Sequence, residues 1–146
     1  MLPDAKPSRN QATSADRRPI ANGMKLHRDA ASGLNAVTAY GAGYVVVNEQ
    51  RFERGLILLP DRIVEGWAAA GFAGLDQTDM RRLVELAPEL VLLGTGARQR
   101  FPAPALLGPL LDARIGFEIM DLQAACRTYN ILMAEGRRVA AALLFD

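Results

Sequence analysis

The sequence predicts a compact α/β fold: one domain of three layers, in which helices pack on a mixed central sheet of about five strands. At 146 residues the chain has the length of one domain. Residues 35–40 alternate and are rich in strand-forming residues, a glycine-rich turn follows, and residues 44–48 are again apolar, which together are typical of an antiparallel hairpin. Residues 76–145 alternate between helical and strand patterns, which indicates βαβ units with parallel strands. We therefore expect an N-terminal antiparallel β part followed by the central sheet.

The first 23 residues differ in composition from the rest of the chain. They are rich in Pro, Ser, Asn and Ala and poor in large apolar residues, so we expect residues 1–23 to be a disordered tail and residues 24–146 to be the single α/β domain. Met24 follows the tail directly, and an alternative interpretation takes it as the natural start. Arg17 and Arg18 precede no apolar stretch, so the tail does not resemble an export signal.

Charge and cysteine usage narrow the function classes. Residues 1–28 carry six Lys/Arg and two Asp, whereas the remainder carries eleven Arg and fourteen Asp/Glu. The predicted domain is therefore mildly acidic, which argues against nucleic-acid binding. No apolar run approaches the roughly 20 residues of a membrane-spanning helix. A single cysteine cannot form an internal disulfide, which fits a reducing compartment.

The first half of the domain is predicted to consist of strands. Residues 35–40 and 44–48 form the expected hairpin around the glycines. Residues 51–55 are a turn or a short edge strand. Residues 56–60, LILLP, are continuously apolar, as expected of a strand buried on both faces. Residues 62–67 favour a further strand.

The second half begins with a helix and a strand. Apolar residues from Met80 onward recur at helical spacing and predict a helix over 76–87, with Asp76 or Thr78 as its cap. Pro88 ends it. Residues 90–94, LVLLG, again predict a buried strand.

Two more helix–strand pairs complete the chain. A helix is expected from Pro104, weakened by Gly108 and Pro109 and closed at Gly116. A short strand over 117–120 follows. The next helix runs from a cap at Asp121 to the glycine at 136, and residues 138–145 predict the last strand.

Residue types needed for common catalytic sites are missing from the body of the domain. A Ser–His–acid triad and a Schiff-base lysine are therefore not expected there. One His and one Cys do not make a four-ligand zinc site. We accordingly expect no enzyme activity, no catalytic residues, no metal and no cofactor. All serines, lysines and the histidine lie in the first 32 residues: Ser8, Ser14, Ser32, Lys6, Lys25 and His27.

The turn Gly94-Thr95-Gly96 follows a predicted buried strand and resembles part of a phosphate-binding turn. The glycine motif of dinucleotide sites is incomplete here, and no helix opens directly after it. Exposed amides with Arg98 and Arg100 nearby could instead hold a small anion. The alternative is a tight turn whose glycines supply a positive φ.

The helix over 121–136 carries the remaining candidates. Cys126 lies past the first turn, where the helix dipole has faded, so a small buried hydrophobe is the favoured interpretation over a reactive thiol. Arg127 and Asn130 are polar residues on an otherwise broad apolar helix. Asn130 predicts either a core hydrogen bond to a neighbouring loop or a polar group in a pocket.

Several stretches together resemble a known family: "AYGAGYVVVN", "LILLP", "PELVLLGTG" and "MDLQAACRTYNILMAEGRRVAAALL". They resemble mitochondrial NADH dehydrogenase (complex I) assembly factor 3 and its small uncharacterised bacterial and archaeal relatives. The resemblance implies a three-layer α/β fold and no established catalytic activity. It further implies assembly through protein contacts, as in the eukaryotic members. Because the first residues do not resemble a transit peptide, we expect a cytoplasmic, bacterial-type member. Bacterial members often lie near protein-export genes.

Two functional hypotheses follow. The first is a non-enzymatic interaction module, monomeric or homodimeric, with a protein partner and an exposed apolar patch at Phe52, Trp67 or Phe72. The second is a small-anion-binding or redox-sensitive protein. Its pocket would lie between the 94–96 turn and the 126–130 part of the helix. The six residues of that candidate pocket are Gly94, Thr95, Gly96, Cys126, Arg127 and Asn130.

Overall fold

The computed structural model describes residues 24–25 and 33–146, so the expected tail over 1–23 lies outside the described residues. The strands are β1 Met24–Lys25, β2 Val37–Gly41, β3 Tyr44–Val47, β4 Gln50–Phe52, β5 Leu56–Leu59, β6 Arg62–Glu65, β7 Leu90–Thr95, β8 Gly116–Met120 and β9 Val139–Leu144. The α-helices are α1 Gln77–Glu85, α2 Gly108–Asp112 and α3 Leu122–Ala134. Short 3-10 helices span Phe72–Gly74 and Pro104–Leu107.

The first four strands form an antiparallel sheet in the order β1-β2-β3-β4. The predicted hairpin is confirmed, since β2 pairs antiparallel with β3. Of residues 51–55, the first two belong to an edge strand, β4. Asn48 and Glu49 both have positive φ, at 49° and 75°, which is the geometry of a type I′ turn between β3 and β4. This sheet is the expected N-terminal antiparallel part.

The second sheet has five strands in the order β6-β5-β9-β7-β8. β7 runs parallel to β8 and β9, whereas β5 is antiparallel to both β6 and β9. The expected mixed sheet of about five strands is therefore confirmed. Every residue of β5 and β9 is buried, as the continuous apolar run at 56–60 predicts for the former.

Alternate residues of the five-stranded sheet point into two separate cores. On one face, Leu56, Leu58 and Leu92 join the apolar sides of α3 and the four-stranded sheet. On the other face, Ile57 and Leu93 join residues of α1 and α2. The sheet therefore forms the middle layer, and the predicted three-layer α/β fold is confirmed.

Local sequence signals set the helix ends. Asp76 caps α1 and forms a reciprocal capping box with Asp79. Asp121 caps α3 and accepts a hydrogen bond from the N–H of Ala124 at 2.8 Å. At the far end, Gly136 has a φ of 84° and its N–H bonds to the carbonyl of Met133. The N–H of residue 137 bonds to the carbonyl of residue 132, which completes a Schellman motif.

The helix expected from Pro104 differs from the prediction. The chain forms a 3-10 turn at Pro104–Leu107 and then only five α-helical residues. Pro109 lacks an N–H, so it cannot continue the hydrogen bonding of the turn before it. Gly116 does not close this helix. The reversal occurs at Arg114, which has a φ of 59°, and Gly116 begins β8.

None of the helices in residues 33–146 is long and apolar enough to cross a bilayer.

Candidate functional site

Asn130 binds the backbone of Val37 with both ends of its side-chain amide. Its Oδ1 accepts from the N–H of Val37 at 2.9 Å, and its Nδ2 donates to the carbonyl of Val37 at 2.8 Å. Val37 begins β2 and is completely buried. Asn130 thus gives both groups the partners that a neighbouring strand would otherwise supply. Of the two interpretations of Asn130, the geometry is that of the core hydrogen bond.

The two residues before Val37 are held in the same way. The carbonyl of Asn35 accepts from the hydroxyl of Tyr129 at 2.8 Å, and the N–H of Asn35 donates to the carbonyl of Pro60. The N–H of Ala36 donates to Oδ1 of Asn48 at 3.1 Å, and its carbonyl accepts from the N–H of the same residue. We call residues 35–37 with these partners the latch. It joins α3, the four-stranded sheet and the β5–β6 turn.

Arg127 adds a contact outside the latch. Its Nη1 donates to the hydroxyl of Tyr40 at 3.0 Å, and this hydrogen bond raises the pKa of the guanidinium. Tyr40 is buried in β2, whereas Arg127 is exposed. Arg127 therefore covers the polar end of a core tyrosine and connects α3 to the four-stranded sheet a second time.

Cys126 lies entirely inside the core between α3 and the two sheets. Desolvation by burial raises the pKa of its thiol to about 12, and the nearby Arg127 offsets only part of this. A thiol must lose its proton to act as a nucleophile or to be readily oxidised. This environment opposes thiolate formation, so it favours the interpretation of Cys126 as a small buried hydrophobe.

We expect Cys126 to resist alkylation in the native protein. With a pKa near 12, the thiolate fraction at pH 8 is on the order of 10⁻⁴, against a substantial fraction for a free thiol. Iodoacetamide labelling followed by intact mass should therefore be slow in buffer and rapid in guanidinium chloride. Stoichiometric labelling within minutes in the native state would instead support the redox-sensitive hypothesis.

Gly94 allows α3 to pack closely on β7. A Cβ at this position would lie 3.0 Å from the Cβ of Ala125 and 3.0 Å from a methyl group of Leu143. Gly94 belongs to the buried part of the strand, where it has no exposed amide to offer an anion. Its lack of a side chain serves helix packing.

Thr95 and Arg100 fasten the loop that follows β7. The buried Thr95 hydroxyl lies 2.8 Å from the carbonyl of Arg98 and accepts from the N–H of Arg100 at 2.9 Å. The guanidinium of Arg100 donates to the carbonyls of Thr95 and Asp146, each at 2.8 Å, and lies 4.3 Å over the ring of Phe72. Arg100 is therefore occupied by protein groups.

Gly96 is required by this arrangement. Its φ is 87°, and a Cβ would lie 2.5 Å from the carbonyl oxygen of Asp146. Its own carbonyl accepts from the N–H of Leu122 at 2.8 Å, at the start of α3. These are properties of the tight-turn interpretation. Of the six candidate residues, Gly96 alone lines a described cavity at this end of the sheet.

That cavity has a volume of about 230 Å³ and an acidic wall. Asp121 and Asp146 line it together with Gly41, Gly96 and Gln123, whereas Cys126, Arg127 and Asn130 do not. Two carboxylates repel an anion, so this lining does not favour a phosphate or sulfate. Within residues 33–146, no cluster of His, Cys, Asp and Glu side chains could hold a metal ion. Ligand binding by the six candidates stays a prediction.

The predicted apolar patch is wrong in its residues. Phe52 and Trp67 are only 6% and 4% exposed, and the indole N–H of Trp67 donates to the carbonyl of Asp79 at 2.9 Å. Phe72 is half-buried beneath Arg100. Among residues 33–146, the exposed large hydrophobic residues are Phe101, Leu111 and Ile131, at 68%, 61% and 59%. The sequence itself could have indicated Phe101 and Leu111, because positions 101–111 contain no charged or polar side chain.

Comparison with protein families identifies the group to which this fold and these turns belong. A family model described as "Protein of unknown function (DUF498/DUF598)" matches residues 37–144, from the latch to the end of β9. The chain belongs to this family. The resemblance to complex I assembly factor 3 and its bacterial relatives is confirmed as well, since both kinds of protein are similar to the chain.

Three similar proteins show what the chain resembles. NADH dehydrogenase (ubiquinone) 1 alpha subcomplex assembly factor 3 from Bos taurus is 31% identical over 110 residues, which are 74% of this chain and only 59% of the bovine protein. The 13 kDa major membrane protein of Francisella tularensis is 24% identical over 72% of this chain and 86% of its own length. A crystal structure from Bordetella parapertussis is 48% identical, with a TM-score of 0.73 over 80% of this chain and 99% of that chain.

Proposed function

We propose that this DUF498 protein is a non-enzymatic interaction module that helps another protein to fold or assemble. The observation that carries the proposal is its similarity to an assembly factor across the core of the domain. The match covers only three-fifths of the bovine protein, so we do not infer that this chain acts on the same client. By resemblance, the client class would be a respiratory complex or another membrane protein.

The geometry of the candidate residues supports this proposal. Asn130 holds Val37, Thr95 holds its own loop, and Cys126 is inside the core. These residues maintain the fold, and their polar groups are already bonded to protein. Large hydrophobic side chains meanwhile remain in solvent at three positions in the part of the chain that the structure describes. Exposed apolar side chains of this size are common at protein–protein contacts.

The proposed partner is a protein, and the proposed location is the cytoplasm, where a membrane protein would be met before or during insertion. The chain would act there as a monomer or a homodimer. One relative is described as a membrane protein. A client in the membrane would account for that association without a spanning segment in this domain.

Deletion of the gene in the source organism tests the proposed function. We expect native gel electrophoresis of membrane extracts to show less of at least one assembled complex, together with accumulation of its subassemblies. The full chain supplied from a plasmid should restore it, and so should the Cys126→Ala variant. Unchanged amounts of every membrane complex in the null strain would contradict an assembly role.

A further inference from the structure

Strand β6 forms one edge of the five-stranded sheet, and the described part of the chain places no strand beside its outer side. The two-residue turn that joins β5 to β6 makes Leu59 and Arg62 a hydrogen-bonded pair. Such pairs alternate along an antiparallel ladder, so the N–H and C=O groups of Ile63 and Glu65 point away from β5. This edge therefore offers donors and acceptors at two positions to a further strand.

The edges formed by β8 and β4 are less open. On β8, at the opposite edge of the same sheet, the carbonyl of Ile119 already accepts a hydrogen bond from Gln99 at 2.7 Å. On β4, which has three residues, the pairing with β3 turns outward the backbone groups of one residue, Arg51. β6 therefore presents a more complete set of hydrogen-bonding groups than β4 or β8.

Cavities lie on both faces of the sheet beside β6. The first, of about 390 Å³, lies between β6 and α1, and we call it the α1-side cavity. The second, of about 550 Å³, lies between the end of β6 and the residues that follow β4, and we call it the Glu65-side cavity. Successive side chains of a strand point to opposite faces, so those of a strand added along β6 would enter the two cavities in turn. An open edge with pockets for alternate side chains is the arrangement that binds peptides by β-strand addition.

The α1-side cavity favours an apolar side chain. Val64, which lines it, is half-buried on the core beneath α1, and Ala68 beside it is buried. The charged groups that line the same cavity are already bonded. Asp79 accepts a hydrogen bond from a backbone N–H, and Arg82 pairs with Glu85 at 3.3 Å. A side chain that enters here therefore meets mainly apolar surface that continues the core.

The Glu65-side cavity favours a polar side chain. Of the charged residues that line it, Arg51 and Glu53 pair with each other at 2.6 Å. Arg54 and Glu65 are exposed, and neither has an ion-pair partner within residues 33–146. They can therefore accept a polar partner from outside. An extended segment in which apolar and polar side chains alternate would match both cavities.

The charges of β6 disfavour a second copy of this chain as the added strand. A two-fold axis at Ile63 would set Glu65 opposite Asp61, and an axis at Val64 would set the two copies of Glu65 diagonally across from each other. An axis at either end of the strand would set Arg62 or Glu65 opposite its own copy. Like charges in such cross-strand positions are destabilising. A segment of a different protein avoids these contacts.

We propose that the open edge of β6 binds an extended segment of a client protein by β-strand addition. The apolar side chains of that segment occupy the α1-side cavity, and its polar side chains occupy the Glu65-side cavity. The inference rests on the assembly function proposed above and adds the site and the conformation in which the client is held. Incompletely folded or unassembled chains expose strand edges without partners, which is the form of client that this edge can bind.

Photo-crosslinking of the full-length chain in cells tests this edge. A benzophenone amino acid replaces Arg62, at the exposed start of β6, and in a matched control it replaces the exposed Glu118 of β8. We expect position 62 to give an adduct with a distinct protein and position 118 to give none. The crosslinked segment of that protein, mapped by mass spectrometry, should alternate apolar and polar residues.

The variants Glu65→Pro and Glu65→Ala separate the backbone of β6 from its side chain. Both remove the carboxylate, whereas proline also removes the N–H that points outward. The yield of the adduct should fall about tenfold in Glu65→Pro, as expected for the loss of one such hydrogen bond, and persist in Glu65→Ala. Thermal unfolding should show that both variants remain folded, because proline is tolerated on edge strands where the N–H faces solvent.

Hydrogen exchange of the unsubstituted chain gives a readout that needs no variant. A synthetic peptide of the mapped client segment should slow exchange at the N–H groups of Ile63 and Glu65 by about tenfold or more, and leave that of Phe117 in β8 unchanged. Two forms of the peptide, N-methylated at odd or at even positions, should differ in this effect. Only one of them blocks the donors that face β6.

Several results would overturn the inference: an adduct with a second copy of the chain, an adduct within the chain, equal adducts from positions 62 and 118, no adduct at position 62, or an undiminished adduct in Glu65→Pro. Unchanged exchange at Ile63 and Glu65 would do the same. A client captured only at position 118 would refute this site and leave the assembly function standing. Unchanged complexes in the null strain would refute the function itself.

Discussion

Replacement of Asn130 by alanine is expected to lower the free energy of unfolding by roughly 3 kcal/mol, since each buried polar group that loses its partner costs about 1–3 kcal/mol. The substitution removes the partners of both the N–H and the carbonyl of Val37. Val37 is fully buried at the start of β2, where water does not readily replace the amide. Urea unfolding followed by circular dichroism measures the loss. Hydrogen exchange at the Val37 N–H should accelerate in parallel.

Gln123→Ala is the matched control for this variant. Gln123 lies exposed on the same helix, and its replacement should change stability by less than about 0.5 kcal/mol. An Asn130→Ala variant as stable as this control would mean that the latch does not hold the four-stranded sheet to α3.

Substitution of Gly55 by alanine is expected to destabilise the domain by about 3 kcal/mol or more, as overpacking of a fixed site does. A Cβ at this position would overlap the carbonyl oxygen of Trp67. The backbone of Trp67 cannot move away easily, because its indole is buried and bonded to Asp79. Its neighbour Ala68 is also buried and already has a positive φ of 54°. Expression of little folded protein, or a large drop in Tm, is the expected result.

Gly108→Ala is the milder change in the same assay. Gly108 begins α2 with a helical φ of −50°, and a Cβ there would meet no atom within 4 Å outside its chain neighbours. Pro109 follows it and disfavours the helical conformation for alanine, so we expect a loss of stability that is well below that of Gly55→Ala. If the two glycine variants had the same stability, the close approach of residues 55 and 67 would not constrain the fold.

Local sequence patterns were sufficient to predict most elements. The continuous apolar run at 56–60 indicated a strand buried on both faces. Asp76 and Asp121 indicated where two helices begin, and Gly136 indicated where α3 ends. These signals depend on neighbours within four or five residues, which is why they can be read from the chain. Alternation of helices and strands over 76–145 predicted the sheet in the same way.

Long-range contacts were not predictable from these patterns. Nothing near Asn130 indicates that its partner is Val37, 93 residues earlier. Trp67 was named as a candidate for an exposed apolar patch, whereas its indole N–H donates to a backbone carbonyl of α1. The helix expected from Pro104 was too long at its C-terminal end, because the chain reverses at Arg114, which has a φ of 59°.

Complementation of the null strain by two variants tests the central claim most directly, since it separates a strand edge that binds a client from a pocket that binds a ligand. One variant carries Glu65→Pro, and the other carries Cys126→Ala. Both should remain folded, because the N–H of Glu65 points away from β5 and the second change only removes a small buried group. The account predicts that Cys126→Ala restores assembled complexes and that Glu65→Pro does not. Restoration by Glu65→Pro, with failure of Cys126→Ala, would contradict it.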